Sequence, residues 1–273
     1  MRFSIVTVCL NPGDDLDLTV QSILSQSLGD FELLIKDGGS SDGTQERVWS
    51  DQRVRFVSAK DSGIYQAMNQ ALAVCSGEYI CFMNAGDTFA GYDVLEEVAR
   101  KIEEDTRAEF FYVDVYKPGA RAGINTFPEC LTRYYLFNNT ICHQCWFVRR
   151  HTYLRYGGFD ERYSSIADYQ LMLKILARDR VPYRHVSRVG VTYKGGGHSS
   201  RPDVIKMSRK LLHAVKVEFF SRKERILYST VWGIRCGLKF LFYDHILWRP
   251  WRRIMDRRMR CLTRDGRTVP LAR

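Results

Sequence analysis

Tyr79-Ile80-Cys81-Phe82-Met83-Asn84-Ala85-Gly86-Asp87 is the stretch on which the reading of this chain turns. Its first five residues form an unbroken apolar run, the pattern of a strand buried on both faces. Asp87 then emerges at the C-terminal edge of that strand. In an open α/β sheet this edge is where ligands bind. A carboxylate held there beside a small residue and a glycine suits a divalent cation bridging a diphosphate. A strand-end Asp also caps the turn that follows it, and these residues alone leave both roles open.

Outward from this run, strand and helix patterns alternate. Phe3–Cys9, Phe31–Ile35, Val54–Val57 and Phe110–Val115 read as further strands. Leu16, Val20, Ile23 and Leu24 recur at helical spacing, as do apolar residues across Ile64–Val74 and Val94–Ile102. Such alternation predicts an α/β fold: a mostly parallel sheet with helices on both faces and right-handed crossovers. Asp37-Gly38-Gly39-Ser40-Ser41-Asp42-Gly43-Thr44 is a loop made of turn residues. Neither a G-x-G-x-x-G fingerprint nor a P-loop is present. Further on, Gly119 and Gly123 suggest a hairpin, and Thr126–Phe137 a short helix. Cys145–Val148 reads as a strand, Gly157-Gly158-Phe159-Asp160 as a tight turn, Ile166–Leu176 as a helix and Tyr183–Tyr193 as a strand. Gly195-Gly196-Gly197-His198 follows, a loop whose three glycines predict mobility until something binds.

Charge divides the 273 residues into two parts. Residues 1–200 carry 22 Lys+Arg and 25 Asp+Glu, a net of −3; residues 201–273 carry 19 and 6, a net of +13. The expected organisation is one α/β domain over 1–200, the span that the resemblance described next makes catalytic, and a basic, amphipathic helical region over 201–273. The eight cysteines are scattered, and Cys142-His143-Gln144-Cys145 is the only close pair. No second pair stands at zinc-site spacing, no thioredoxin-like pattern surrounds this one, and a reduced, cytoplasmic compartment is the simplest expectation. The first apolar stretch is too short for a signal peptide, and no run reaches 18 uncharged apolar residues.

DGGSSDGT (37–44), DSGIYQAMNQAL (61–72), GEYICFMNAGD (77–87), His143-Gln144, Gly157-Gly158-Phe159-Asp160 and Ala167-Asp168-Tyr169-Gln170-Leu171 form an ordered series. In this order it resembles the family 2 glycosyltransferases of GT-A fold, and most of all the branch that builds bacterial exopolysaccharide, colanic-acid type enzymes included. The resemblance spans residues 1–200. It implies transfer of a sugar, with inversion, from a nucleotide-diphosphate sugar to a saccharide or polyprenyl-linked acceptor. It places Thr7, Asp37 and Asp61 around the nucleoside, with Asp37 accepting an imide N–H of a uracil-like base. It puts Asn69 on the helix facing the nucleotide and Asn84 in the donor site. Asp87 matches the final carboxylate of the family's metal motif, and His198 stands where some relatives supply another contact, so Mg²⁺ or Mn²⁺ is the implied cofactor. Asp168 corresponds to the general base; His143, Gln144 and Asp160 fall on the acceptor side. Turn capping is the competing role for Asp37 and Asp61, a bare loop position for His198, and helix N-terminal stabilisation for Asp168.

Two departures from the family pattern matter. Asn84 replaces the first acid of the metal motif, and Met68 replaces the Arg that precedes Asn69 in many relatives. They keep open a non-catalytic reading, a nucleotide-sugar-binding or scaffold protein at the membrane. A nucleotidyltransferase would need a glycine-rich, basic phosphate loop after the first strand, which Asn11-Pro12-Gly13 is not.

The C-terminal region mixes Phe219, Phe220, Ile226, Leu227, Trp232 and Ile234 with Arg222, Lys223, Arg225 and Arg235, then continues through Trp248-Arg249-Pro250-Trp251-Arg252-Arg253. Trp with Arg or Lys suits an in-plane helix on an anionic membrane, here the inner face of the cell membrane. A helical pair packed on the catalytic domain with a solvated basic face is the alternative. The apolar content is too high for a nucleic-acid surface.

Overall fold

The computed structural model describes residues 1–47, 49–119, 123–197 and 201–241, with side chains through residue 234. His198 and the Trp248–Arg253 stretch lie outside the described residues.

The apolar runs become one sheet. Strands β1 (Phe3–Cys9), β2 (Phe31–Asp37), β3 (Val54–Ser58), β4 (Tyr79–Phe82), β5 (Thr88–Phe89), β6 (Phe110–Tyr116), β7 (Ile124–Asn125), β8 (Trp146–Arg149) and β9 (Tyr183–Thr192) assemble in the order β3-β2-β1-β4-β8-β6-β9-β5, with β7 hairpinned onto β6. β3, β2, β1 and β4 are parallel neighbours. The chain moves outward from β1 to β3 on one side, then returns to place β4 on the other. A switch point opens there, between the C-terminal ends of β1 and β4.

The second half departs from a purely parallel sheet. β8 inserts antiparallel between β4 and β6, pairing Ile80 with Val148 and Phe111 with Phe147. β6 and β9 are again parallel. Residues Trp146, Phe147 and Val148 are fully buried, so this strand sits in the sheet's interior.

Helices α1 (Asp15–Leu24), α2 (Ile64–Val74) and α3 (Val94–Glu104) follow the expected periodicity and bury that stripe. α1 packs near β5, α2 on β1 and β2, and α3 beside β9. α4 (Arg133–Asn138) starts at Thr132, whose side chain accepts from the Tyr135 N–H. α5 (Arg150–Arg155) follows β8 directly. α6 (Ala167–Met172) runs into a π-helical turn, Leu173–Arg178, where one continuous helix was expected. α7 (Pro202–Phe219) and α8 (Arg222–Leu241) account for the start of the basic region. Val215, Phe219 and Phe220 join the same hydrophobic core as the sheet. Phe220 meets Phe137 edge-on at 5.1 Å between ring centroids, and Arg133 pairs with Glu224 at 2.6 Å.

β2 runs two residues past its expected end. Lys36 is buried within it because its ammonium donates to the Asp37 and Ala59 carbonyls and to Asp61 Oδ2, at 2.8, 2.6 and 3.1 Å. A buried ammonium with three acceptors no longer argues against a strand. Cys9, Cys75, Cys81, Cys142 and Cys145 are free thiols, whereas Cys130 is disulfide-bonded, a departure from a fully reduced chain.

The turn at 157–160 is held by α2. Asn69 donates to the Phe159 carbonyl at 2.8 Å and accepts the Phe159 N–H at 2.8 Å. Gly158 has φ +71°, and a Cβ there would collide with Asn69 Oδ1. Gly158→Ala should therefore destabilise the fold by about 2 kcal/mol, the cost of a non-glycine residue at positive φ plus the lost clamp. Urea unfolding with an unchanged slope checks it.

Candidate active site

The turn after β4 is fixed from α1. The Gly86 N–H donates to Thr19 Oγ1 at 2.9 Å, and that hydroxyl donates to the Asp87 carbonyl at 2.8 Å. Gly86 has φ +93°, which a glycine adopts without strain. Asp87 is thereby turned inward, 4 % exposed. Its Oδ1 accepts the Lys194 N–H at 2.9 Å and its Oδ2 the Gln144 side-chain amide at 2.8 Å. Burial pushes the Asp87 carboxyl up from the usual range, against those two hydrogen bonds.

Gln144 reaches Asp87 because of the antiparallel register. Ile80 faces Val148, so the chain leaving β4 runs alongside the chain entering β8. That entering segment is a 3₁₀ turn, His143–Cys145. Successive side chains on such a turn diverge by roughly 120°. Gln144 therefore meets Asp87 while His143 points to another acid: His143 Nδ1 lies 3.0 Å from Asp168 Oδ2. On its other side, His143 Nε2 lies 3.1 Å from Asn84 Nδ2. The Asp168 carboxylate can only accept, which puts a proton on Nδ1, while the Asn84 side-chain amide faces the ring's other nitrogen.

Asp168 receives three further constraints. It opens α6, its Oδ1 accepts the Tyr65 hydroxyl at 2.9 Å, and the same oxygen accepts the Tyr169 N–H at 2.8 Å. Burial alone would raise its pKa, but the His143 hydrogen bond and charge, with Tyr169 and Tyr65, hold the carboxyl below its ordinary 3.8. Burial likewise opposes charge on His143, while Asp168 holds the imidazole above its ordinary 6.5. Asp168 retains 20 % side-chain exposure, so the carboxylate is reachable.

Asp87, Asp168, His143, Gln144 and Asn84 line one cavity of about 610 Å³. That volume falls in the range of small-ligand sites. Gly195, Gly196 and Gly197 form part of its rim.

The remaining candidates lie elsewhere. Asp37 is fully buried at the end of β2 and accepts the Gly39 N–H at 2.9 Å, the Ser40 N–H, and the Ser40 and Ser58 hydroxyls. Those bonds occupy the lone-pair positions of a carboxylate. Turn capping is thus the role the structure displays. Asp61 pairs with Lys36 and accepts the Gly63 N–H at 3.1 Å, against Gly38. Both acids belong to the strand ends beside the switch point but do not line the cavity. Thr7 is buried within the sheet and its hydroxyl has no partner. Asn69, expected to face the nucleotide, instead clamps the 157–160 turn. Asp160 pairs with Arg162 at 2.7 Å over a separate shallow depression. Neither contact is legible in the sequence, because a polar residue on a helix, or after two glycines, reads identically whether it binds a ligand or a neighbouring loop.

Sequence reasoning missed Tyr65, Asp15, Lys117, Lys194 and Lys216, which all line the cavity. Only Tyr65 carried a signal, as a polar-tipped aromatic in the first turn of α2.

The sequence profile of Glycosyl transferase family 2 matches residues 4–156. That is more than half the chain, and the chain belongs to this family. A PGL/p-HBAD biosynthesis glycosyltransferase of Mycobacterium bovis (strain BCG) is 28% identical over 268 residues, covering 94% of this chain and 93% of that protein. Chondroitin synthase of Escherichia coli is 29% identical over 177 residues, 62% of this chain and 25% of that protein. Among solved structures, S. aureus TarS 1–349 in complex with UDP-GlcNAc superposes with a TM-score of 0.64 at 17% identity, covering 82% of this chain and 69% of that one. The mannosyltransferase PcManGT from Pyrobaculum calidifontis, in complex with GDP-Man and Mn²⁺, gives 0.54 at 14% identity over 92% and 82%. At these identities the structures establish a shared GT-A fold. The protein is a glycosyltransferase.

The Asp168–His143 pair sets a pH dependence. The depressed Asp168 pKa stabilises the fold above 3.8 and is lost as pH falls through its folded value; the raised His143 pKa stabilises below 6.5 and is lost as pH rises through its folded value. His143→Gln should therefore cost more stability at pH 5.5 than at pH 8.5. Chemical denaturation at both values reads the difference, and an equal loss removes the ion pair from the account.

Proposed function

We propose that this chain transfers a glycosyl group with inversion from a nucleoside-diphosphate sugar, a UDP-sugar, to a saccharide or lipid-linked acceptor. The observation that carries the reading is Asp168, ionised and oriented by His143 and Tyr65, in one cavity with Asp87 at the switch-point edge of the sheet. UDP and UDP-GlcNAc complexes of structurally similar TarS support the donor class.

In this reading the acceptor hydroxyl gives its proton to Asp168 while its oxygen bonds to the anomeric carbon. The anomeric carbon–oxygen bond to the diphosphate breaks, and the nucleoside diphosphate leaves with the electron pair. One displacement inverts the anomeric centre. A positioned base contributes roughly 10²–10⁴-fold. His143 Nδ1–H and the Tyr65 hydroxyl hold the two Asp168 oxygens so that its remaining lone pairs face the cavity. The base would sit at the ends of β1 and β2, where Asp37 can take an imide N–H once a serine hydroxyl gives way.

A divalent cation fits the residues at the β4 end. Asp87 supplies one carboxylate, and Asn84 Oδ1 and Gln144 Oε1 are buried oxygens without partners. An all-oxygen set with a single charge suits Mg²⁺ or Mn²⁺ arriving with a diphosphate rather than held alone. Such an ion would neutralise the leaving group's charge.

Asp168→Asn keeps the shape and removes the base. Turnover should fall at least about 100-fold while nucleotide affinity stays within a factor of two. Steady-state transfer assays beside calorimetric UDP titration test this; retained turnover would falsify the catalytic assignment. Binding without transfer in the unaltered chain would instead favour a non-catalytic nucleotide-sugar binder.

We also propose peripheral attachment to an anionic membrane through the basic region. No helix among the described residues is long and apolar enough to cross a membrane. α8 does expose Ile226, Leu227, Trp232 and Ile234, with exposed Arg222 and Lys223 at its start. The full chain should sediment with anionic liposomes at low salt, and Ile226→Glu with Leu227→Glu should shift it to the supernatant. A supernatant-bound unaltered chain removes the proposal.

A further inference from the structure

The cavity holding Asp87 and Asp168 has a second wall of different chemistry. α4 and the residues after it contribute Phe137, Asn138 and Asn139, and α7 contributes Leu212 and Lys216. The Lys216 ammonium stands 4.1 Å from the Phe137 ring centroid. Lys117, at the end of β6, stands 5.1 Å over the Tyr193 ring. Lys36 and Lys194, by contrast, reach Asp61 and Asp15. Among the described residues neither Lys117 nor Lys216 forms an ion pair. Burial pushes the Lys216 pKa down, with no opposing charge beside it. Asn138 and Asn139 each donate one side-chain N–H, to the Tyr134 and Tyr135 carbonyls, and Lys117 and Lys216 are the lysines of the cavity lining that pair with no acid among the described residues.

We propose that Lys117 and Lys216 form a phosphate subsite for the acceptor, which is a phosphate or diphosphate ester rather than a neutral glycan. The inference rests on the glycosyl-transfer reading of the same cavity and narrows its acceptor. A desolvated ammonium without a carboxylate is costly until an anion arrives, and the bond then formed is charge-assisted. Cation–π contact with Phe137 holds the ammonium in place meanwhile. Leu212, Phe137 and Ile166 offer apolar contact to whatever the ester carries. The donor's diphosphate belongs at the β4 end, with Asp87. Lys216 instead lies on α7, beyond the span that the family profile matches.

Geranyl diphosphate and geraniol serve as probes, titrated calorimetrically into the full chain with UDP absent and then saturating. Geranyl diphosphate should bind in both conditions and geraniol at least tenfold more weakly. Lys216→Met and Lys117→Met, which keep the packing, should each weaken geranyl diphosphate by roughly tenfold, and Lys216→Arg should restore it, with UDP affinity within twofold throughout. Loss of geranyl diphosphate binding under saturating UDP assigns the lysines to the donor and overturns the subsite. Equal binding of geraniol, or unaffected variants, overturns it too. Should the chain bind geranyl diphosphate through both lysines but never bind UDP, the subsite stands and the donor reading above fails.

Discussion

One antiparallel ladder governs the site. β8 runs against β4, so the residues that leave β4 lie beside those that enter β8. Had β8 joined parallel, His143 and Gln144 would sit at the opposite end of the sheet from Asn84 and Asp87. The ladder instead makes two short cross-chain contacts, Gln144 to Asp87 and Asn84 to His143. Through His143 the same contact extends to Asp168 and α6. Asp168 is therefore positioned by a strand pairing tens of residues away in sequence, which stiff interior strands hold more firmly than a loop would.

Asn84 acquires a physical meaning in this frame. An acid at 84 would face the imidazole Nε2 and favour the doubly protonated ring, with a second carboxylate competing with Asp168 for its charge. An amide adds no charge beside the ring and leaves Asp168 as its acid partner. The departure from the metal motif is thus the residue that meets the far side of the histidine. Its unused Oδ1, like Gln144 Oε1, is one of the few buried polar atoms without a partner. Leaving such an atom unpaired costs roughly 1–3 kcal/mol, so both mark places where an incoming ligand is favoured. Thr7 Oγ1 is unbonded too, fully buried within β1.

Apolar runs made the strands of the first half legible nearly to the residue, because strands buried on both faces tolerate little else. The glycine-bracketed Asp87 was legible for the same reason: a buried run must end where a polar group begins. Strand direction for β8 was not, since a four-residue apolar segment carries no sign of which neighbour it joins. Asn69 and Asp160 show a different limit. Their partners are backbone groups of a turn and a nearby Arg, and such partners leave no periodic trace. His143 lines the cavity, and its partner depended on the angular spread of a 3₁₀ turn, which the sequence does not display.

The division of labour along the chain follows from where each wall originates. Asn84, Asp87, His143 and Gln144 all fall within residues 4–156, the span common to the family. Asp168 on α6, the glycine rim and α7 lie beyond it. The cavity is thus built from both segments, with the His143–Asp168 bond as the joint between them. α7 joins the two, because Val215 and Phe219 anchor it in the core while Leu212 and Lys216 line the cavity. The first helix of the basic region is therefore part of the cavity wall as well as of the charged C-terminal segment.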